Sequence, residues 1–125
     1  MNKKQMHLDL ENPPKIEEIA ENIKRLNELG LEVQITEMDV RIKSPASKKD
    51  LKKQAELYRN ILKVCLEARN CTAFVLWGFT DRYSWIPDYF NKKNGYDANY
   101  SGGLIFDESF RPKPAYHAIK KYLLQ

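Results

Sequence analysis

The stretch Val33-Gln-Ile-Thr-Glu-Met-Asp39 alternates apolar and polar residues with a period of two. It reads as a β-strand whose one face begins with Val33 and Ile35 and ends in two carboxylates, Glu37 and Asp39. Immediately upstream, Ile16, Ile19, Ile23, Leu26 and Leu29 recur at spacings of three and four, one face of an amphipathic helix. Pro13-Pro14 precede that helix and Gly30 sits in its stop position. Downstream, Lys43-Ser-Pro-Ala46 reads as a loop, and Ser47 with Asp50 resembles a capping box. Leu51, Ala55, Tyr58, Leu62 and Cys65, widened by Ile61 and Val64, form a second helical stripe that Asn70 ends. Ala73-Phe-Val-Leu-Trp77 is continuously apolar, as strands of parallel sheets are. Gln5-Met-His7 looks like the end of a further strand before the first helix. Gly78 to Gly103 has no sustained period and reads as a long loop, with Leu104-Ile-Phe106 returning towards the core. Pro114 opens a last helix with Ala115, Ala118, Ile119 and Tyr122 inward. Alternation of this kind implies parallel strands joined by right-handed crossovers, an α/β architecture.

The 125 residues suffice for a single domain, 1–125, and the 42% hydrophobic and 30% charged composition excludes a disordered or collagen-like chain. The excess of 21 Lys+Arg over 17 Asp+Glu is dispersed among acidic residues, so no nucleic-acid partner is expected. No apolar run reaches 18 residues, so no membrane partner is expected either. The first ten residues carry charge but not the apolar core of a signal peptide, which leaves localisation unassigned. Cys65 and Cys71 bracket a helix end, and two readings stand: a small disulfide loop or two buried thiols. Two histidines in the whole chain make a metal cluster unexpected, and no cofactor is implied.

Reactive groups in parallel α/β proteins gather at the carboxyl ends of the strands. Those ends hold Gln5 and His7, then Glu37 and Asp39, then Trp77 followed by Asp81, Arg82 and Trp85. Glu37 shares its strand face with Val33 and Ile35, so it is expected to point inward, either paired with a structural cation or catalytic. Asp39 is read as an exposed cap. His7 is a candidate metal ligand, general base or hydrogen-bond partner of Glu37. Trp77 and Trp85 serve as core or as ligand platforms; the polar surroundings of Trp85 suit stacking on a sugar ring. Tyr83, Tyr89, Tyr96 and Tyr100 suit a carbohydrate-facing wall, although crevice packing accounts for most of them more simply. Asn70-Cys-Thr72 and Asn99-Tyr-Ser101 match the glycosylation sequon, a pattern too short to carry weight.

Leu31-Glu-Val-Gln-Ile-Thr-Glu-Met-Asp-Val40 resembles the nucleophile strand of the family 10 glycoside hydrolases, the endo-β-1,4-xylanases. Phe74-Val-Leu-Trp-Gly-Phe-Thr-Asp-Arg-Tyr-Ser-Trp85 is similar to that family's eighth strand and following loop. Gly103-Leu-Ile-Phe-Asp107 and Lys113-Pro-Ala-Tyr116 resemble its carboxyl-terminal segment, and Gln5-Met-His7 its sixth strand. The resemblance implies the carboxyl-terminal half of a (β/α)8 TIM barrel, strands six to eight with their helices. It implies a retaining hydrolysis of internal β-1,4-xylosidic bonds in xylan, with Glu37 the nucleophile and His7 its hydrogen-bond partner. Gln5 would lie near the reacting sugar, and Trp77 and Trp85 would line substrate subsites. It also implies a Cys65–Cys71 disulfide, and full-length members of the family are usually secreted.

One departure limits the expected activity. The family's acid/base glutamate lies in an Asn-Glu pair on the fourth strand, and Asn27-Glu28 sits near a helix end on the side away from the strand carboxyl ends. The chain is therefore expected to carry the nucleophile without its partner and to be inactive alone. The alternative is a noncatalytic, oligosaccharide-binding or self-assembling half-barrel. Two exposed sheet edges and an apolar interior would favour homo-oligomerisation, or association with the missing amino-terminal half.

Overall fold

Each of the two long helices carries the chain from one parallel strand to the next. The computed structural model describes residues 2–125. Strand β1 (Asn2–Asp9) leads through α1 (Ile16–Glu28) to β2 (Val33–Lys43), and α2 (Lys48–Glu67) leads on to β3 (Cys71–Leu76). The strands pair in the order β1-β2-β3, all parallel, so β1 and β3 each keep one edge unpaired among the described residues. After β3 come a 3-10 turn (Asp81–Tyr83), the short helix α3 (Ile86–Tyr89), a second 3-10 turn (Lys92–Asn94), the two-residue strand β4 (Tyr100–Ser101) and α4 (Pro114–Leu123).

Local chemistry explains the boundaries. Gly30 takes the left-handed conformation (φ 76°) that closes α1. The expected capping box at the start of α2 is formed: Ser47 Oγ accepts from the Asp50 amide and the Asp50 carboxylate accepts from the Ser47 amide, both at 3.0 Å. Asn70 joins the layers, its Nδ2 donating to the carbonyls of Ile23 (3.1 Å) and Leu31 (3.0 Å). That amide is buried and engaged, so the first sequon offers no accessible acceptor.

The main core lies between the sheet and its helices. Ile35, Met38, Val40 and Ile42 of β2 pack against Ala55, Tyr58, Ile61 and Cys65 of α2 and Ala115 of α4. The opposite, open face of the sheet differs from the apolar interior expected. Lys3, Gln5, Thr72 and Val75 are exposed on β1 and β3, and only Val75 among them is apolar. Exposed aromatics cluster elsewhere: beyond β3 the Phe110 ring lies 6.3 Å from that of Phe79 and 6.2 Å from that of Tyr83, centroid to centroid.

Three expectations need correction. The strand through Glu37 runs on to Lys43, where it pairs antiparallel with β4 (Ile42 with Ser101, Lys43 with Tyr100). The segment from Gly78 to Gly103 is not one irregular loop but a series of short turns around a second core of Ile86, Phe90 and Tyr100. The Arg41 guanidinium lies 4.1 Å from the Phe90 ring centroid and 5.1 Å from that of Tyr100, tying this core to β2. Finally, the stripe of α1 is only partly covered: Ile23 is buried, whereas Leu29, just past the last helical turn, is 73% exposed.

Candidate active site

The decisive local feature is an extra residue in β2. Gln5 pairs with Thr36 but His7 pairs with Asp39, so two steps along β1 match three along β2. On the other side, Ile35 pairs with Phe74 and Met38 with Leu76, the same excess. The bulge contains Glu37, which adopts φ 55°, the left-handed region rare for a residue with a Cβ. The bulge breaks the alternation read from the sequence. Met38 inherits the buried position that Glu37 was expected to share with Val33 and Ile35, and Glu37 is turned out of that face. Backbone strain of this kind is held in place by its surroundings and is concentrated at functional sites.

The Glu37 carboxylate, 22% exposed, is held by two donors from β1. Gln5 Nε2 donates to Oε2 at 2.5 Å, and His7 Nε2 lies 3.2 Å from Oε1. The other His7 nitrogen, Nδ1, lies 3.1 Å from Asp39 Oδ1, and Trp85 Nε1 donates to Asp39 Oδ2 at 2.8 Å. The His7 ring meets Trp85 edge-on at 4.8 Å and Trp77 at 6.4 Å between centroids. Trp77 follows β3 directly, its amide donating to the Met38 carbonyl, and its side chain is half exposed. Gln5, His7, Glu37, Trp77 and Trp85 thus converge at the carboxyl end of the sheet.

Asp39 is not the exposed cap expected. It is 2% exposed and joins His7 to Trp85. Burial pushes its pKa up, while hydrogen bonds from Trp85 and His7 and the charges of His7 and Arg41 oppose the rise. The sequence signal was present: a carboxylate two residues beyond the bulged glutamate must share its end of the strand. What buries it is His7 and Trp85, reached from other elements, and no period along β2 reveals them. A second missed pair supports the site from behind. Lys113 Nζ lies 2.9 Å from Asp81 Oδ2 and donates to the Gly102 carbonyl at 2.6 Å, and Asp81 Oδ1 accepts from the Leu104 amide at 2.8 Å. Burial raises the Asp81 pKa and lowers that of Lys113, each against the attraction of its partner. These bonds fix Gly102–Leu104, whose Gly103 carbonyl receives the Val40 amide and the Tyr58 hydroxyl.

The remaining candidates lie apart. Cys65 and Cys71 form a disulfide at the amino end of β3, opposite the carboxylates. Tyr96 and Tyr100 pack into the second core, while Tyr83 and Tyr89 are exposed. Among the described residues, no group of three His, Cys, Asp or Glu side chains is placed to hold a metal ion, and no helix is long and apolar enough to cross a membrane.

Comparison with known proteins agrees with this geometry. The family model described as glycosyl hydrolase family 10 matches residues 4–122. Endo-1,4-beta-xylanase B of Thermotoga neapolitana is 42% identical over 120 residues, 95% of this chain and 32% of that protein. Endo-1,4-beta-xylanase 2 of Aureobasidium pullulans is 35% identical over 86% of this chain and 28% of its own length. The crystal structure of xylanase 10B from Thermotoga petrophila in complex with xylobiose superposes with a TM-score of 0.87 at 41% identity, covering 98% of this chain and 35% of that one. Native xylanase 10B from Thermotoga maritima gives a TM-score of 0.86, again at 41% identity, over 98% of this chain and 36% of that one. These neighbours are TIM barrels, and the three parallel strands with their helices correspond to part of such a barrel. The chain spans about a third of the length of the relatives it matches. Over that span its sequence, strand order and superposition agree, and the chain belongs to glycosyl hydrolase family 10.

Proposed function

We propose that residues 1–125 act as one unit, supplying the nucleophile side of a retaining site for β-1,4-xylosidic bonds. Glu37 is the nucleophile, His7 its hydrogen-bond partner, Gln5 the polar contact beside the reacting sugar, and Trp77 and Trp85 the ring surfaces lining the xylose subsites. The observation that carries this reading is the Glu37 carboxylate itself. It sits on a strained bulge midway along β2, level with the carboxyl end of β3, solvent-accessible, with Gln5 and His7 fixing both oxygens. A retaining glycosidase needs such a carboxylate with an acid/base carboxyl about 5 Å away across the sugar.

These residues do not provide that second carboxyl. Asp39 is close to Glu37 but buried, with its two oxygens committed to His7 and Trp85. Glu28 ends α1, and the chain then turns into the amino end of β2, on the far side of the sheet. Positioned acid catalysis contributes roughly 10²–10⁴-fold, so the 125-residue chain alone is inactive. The partner it fits is the complementary part of the barrel, supplying strands to the free edges of β1 and β3. Two copies of this chain bring six parallel strands rather than eight, which favours the complementary segment over a self-assembled dimer.

The test is xylan hydrolysis by the purified chain, alone and mixed with the amino-terminal segment of a family 10 xylanase that carries the acid/base. No turnover alone, and turnover on mixing that Glu37→Ala abolishes, is the expected result. Turnover by the chain alone overturns the claim of inactivity, and complemented turnover that survives Glu37→Ala overturns the assignment of the nucleophile. Xylo-oligosaccharide binding to a stable dimer, without complementation, supports the self-assembling alternative instead.

A further inference from the structure

Glu37, His7, Asp39 and Trp85 form one unbroken chain of hydrogen bonds. Each His7 nitrogen faces a carboxylate oxygen, Glu37 Oε1 at 3.2 Å and Asp39 Oδ1 at 3.1 Å. A neutral imidazole has one donor and one acceptor, so between two ionised carboxylates it would aim a lone pair at a negative oxygen. With Glu37 ionised, two arrangements satisfy every contact. In one, an imidazolium donates to both carboxylates. In the other, a neutral ring donates from Nε2 to Glu37 and accepts at Nδ1 from a protonated Asp39. They contain the same protons and differ by the transfer of one proton between Nδ1 and Asp39 Oδ1.

The fourth member of the chain discriminates between them. An indole N–H can only donate, and Trp85 Nε1 donates to Asp39 Oδ2 at 2.8 Å. A donor to a carboxylate is a stronger partner than a donor to the neutral acid. Arg41, on the same strand, also favours the carboxylate, while burial works against it. From α2, Tyr58 is neutral and its buried hydroxyl donates to the Gly103 carbonyl, so it gives Asp39 neither a charge nor a hydrogen bond. Remove the indole donor and a 2% exposed carboxylate loses the partner of one oxygen, which shifts the balance towards the protonated acid.

Resting on the assignment of Glu37 as nucleophile, we propose that Trp85 is a positioning residue for that carboxylate: its indole N–H keeps Asp39 ionised and thereby holds the shared proton on His7. A positive ring, rather than a neutral one, then faces Glu37, keeping the nucleophile ionised and its oxygen in place. The side chain proposed to line the sugar site on one face thus governs the charge next to the nucleophile at its edge.

The test is the ring-nitrogen NMR spectrum of the 125-residue chain at neutral pH, with His117 as an internal reference. In the unaltered chain both His7 nitrogens are expected at protonated positions. Trp85→Phe keeps an aromatic ring and removes the N–H. It is expected to move the Nδ1 resonance towards the unprotonated position and the Asp39 carboxyl carbon towards the acid, with Nε2 still protonated. In an Asp39→Asn background, Trp85→Phe is expected to leave the His7 signals where they are. An Nδ1 resonance unmoved by Trp85→Phe overturns the proposal. So does an equal change in the Asp39→Asn background, because ring packing against His7 would then be its cause. The unaltered chain alone is a further check, since an unprotonated Nδ1 there overturns the proposal whether or not the variant folds. None of these signals depends on turnover, so failure of the proton placement and failure of the nucleophile assignment are read separately.

Discussion

Replacing Lys113 by Met keeps an unbranched side chain, one atom shorter and without charge, and strands a buried carboxylate. Lys113 is 6% and Asp81 8% exposed, with 2.9 Å between Nζ and Oδ2. Breaking one side of a buried pair costs about 3–5 kcal/mol, because the remaining charge is left in a poor solvent. Set against a total stability of roughly 5–15 kcal/mol, that is a large share. The Leu104 amide still serves Asp81 Oδ1, which argues for the lower end of the range. The cost must depend on pH in a definite direction. Burial already raises the Asp81 pKa in the folded chain above the ordinary 3.8, and Lys113 opposes that rise, so Lys113→Met raises it further. A carboxyl whose folded pKa lies above its unfolded value destabilises the fold as pH climbs through that folded pKa, and the penalty is absent below the unfolded one. Urea unfolding of the variant and the parent chain should therefore differ by several kcal/mol at about pH 7 and by much less near pH 4. Adding Asp81→Asn to Lys113→Met should recover most of the loss at neutral pH. An equal deficit at both pH values would refute the reasoning, since the damage would then come from the packing of the methionine rather than from a stranded charge.

Three further outcomes follow from particular contacts. Reducing the Cys65–Cys71 disulfide, which spans a sequence separation of 6, should cost about 2 kcal/mol by the loop-entropy relation and lower Tm by roughly 5–10 °C in a thermal scan with reductant. Ser47→Ala removes one half of the capping box of α2 and should cost about 1 kcal/mol in urea unfolding. At Glu37, where φ is 55°, Gly should be more stable than Ala by about 1 kcal/mol, the reverse of their order at an ordinary strand position. Equal stability of the two variants in chemical unfolding would mean that the bulge relaxes once the carboxylate is gone.

What could be read in the sequence was whatever obeys a period or a local rule. The stripe from Leu51 to Cys65, the Ser47–Asp50 box and the Gly30 stop each depend on a few neighbouring residues, and each was found where expected. The convergence of Gln5, His7, Glu37 and Trp85 was legible because parallel strands gather their carboxyl ends, whatever the details of packing. The bulge at Glu37 was not legible. It has no signature in the order of residues, and it reverses which side chains of β2 face the helices from Met38 onward. The burial of Asp39 was not legible either, because the side chains that cover it, His7 and Trp85, lie 32 and 46 positions away in the sequence. The pairing of Lys113 with Asp81 was not legible because a buried lysine is defined by its distant partner, here 32 positions earlier, and no spacing rule reaches that far.

The polar open face changes what the complementary segment is needed for. Had the inner surface of the sheet been apolar, the chain would depend on a partner to bury its core. Instead Ile35, Met38, Val40 and Tyr58 are already enclosed between β2 and α2, and the uncovered side presents Lys3, Gln5 and Thr72 to water, with Val75 the one apolar side chain among them. What remains exposed is a set of peripheral apolar side chains, among them Val75, Trp77, Phe79 and Phe110, and backbone at the free edges of β1 and β3, which water can satisfy. The elements that hold Glu37, His7 and Asp39 in register are therefore the same ones that hold the fold together, and none of them lies outside the chain. On the proposed function, the complementary segment contributes little to placing the nucleophile. Its contribution is the second carboxyl and the opposite wall of the sugar site, so complementation should restore turnover without altering the hydrogen bonds between Gln5, His7 and Glu37.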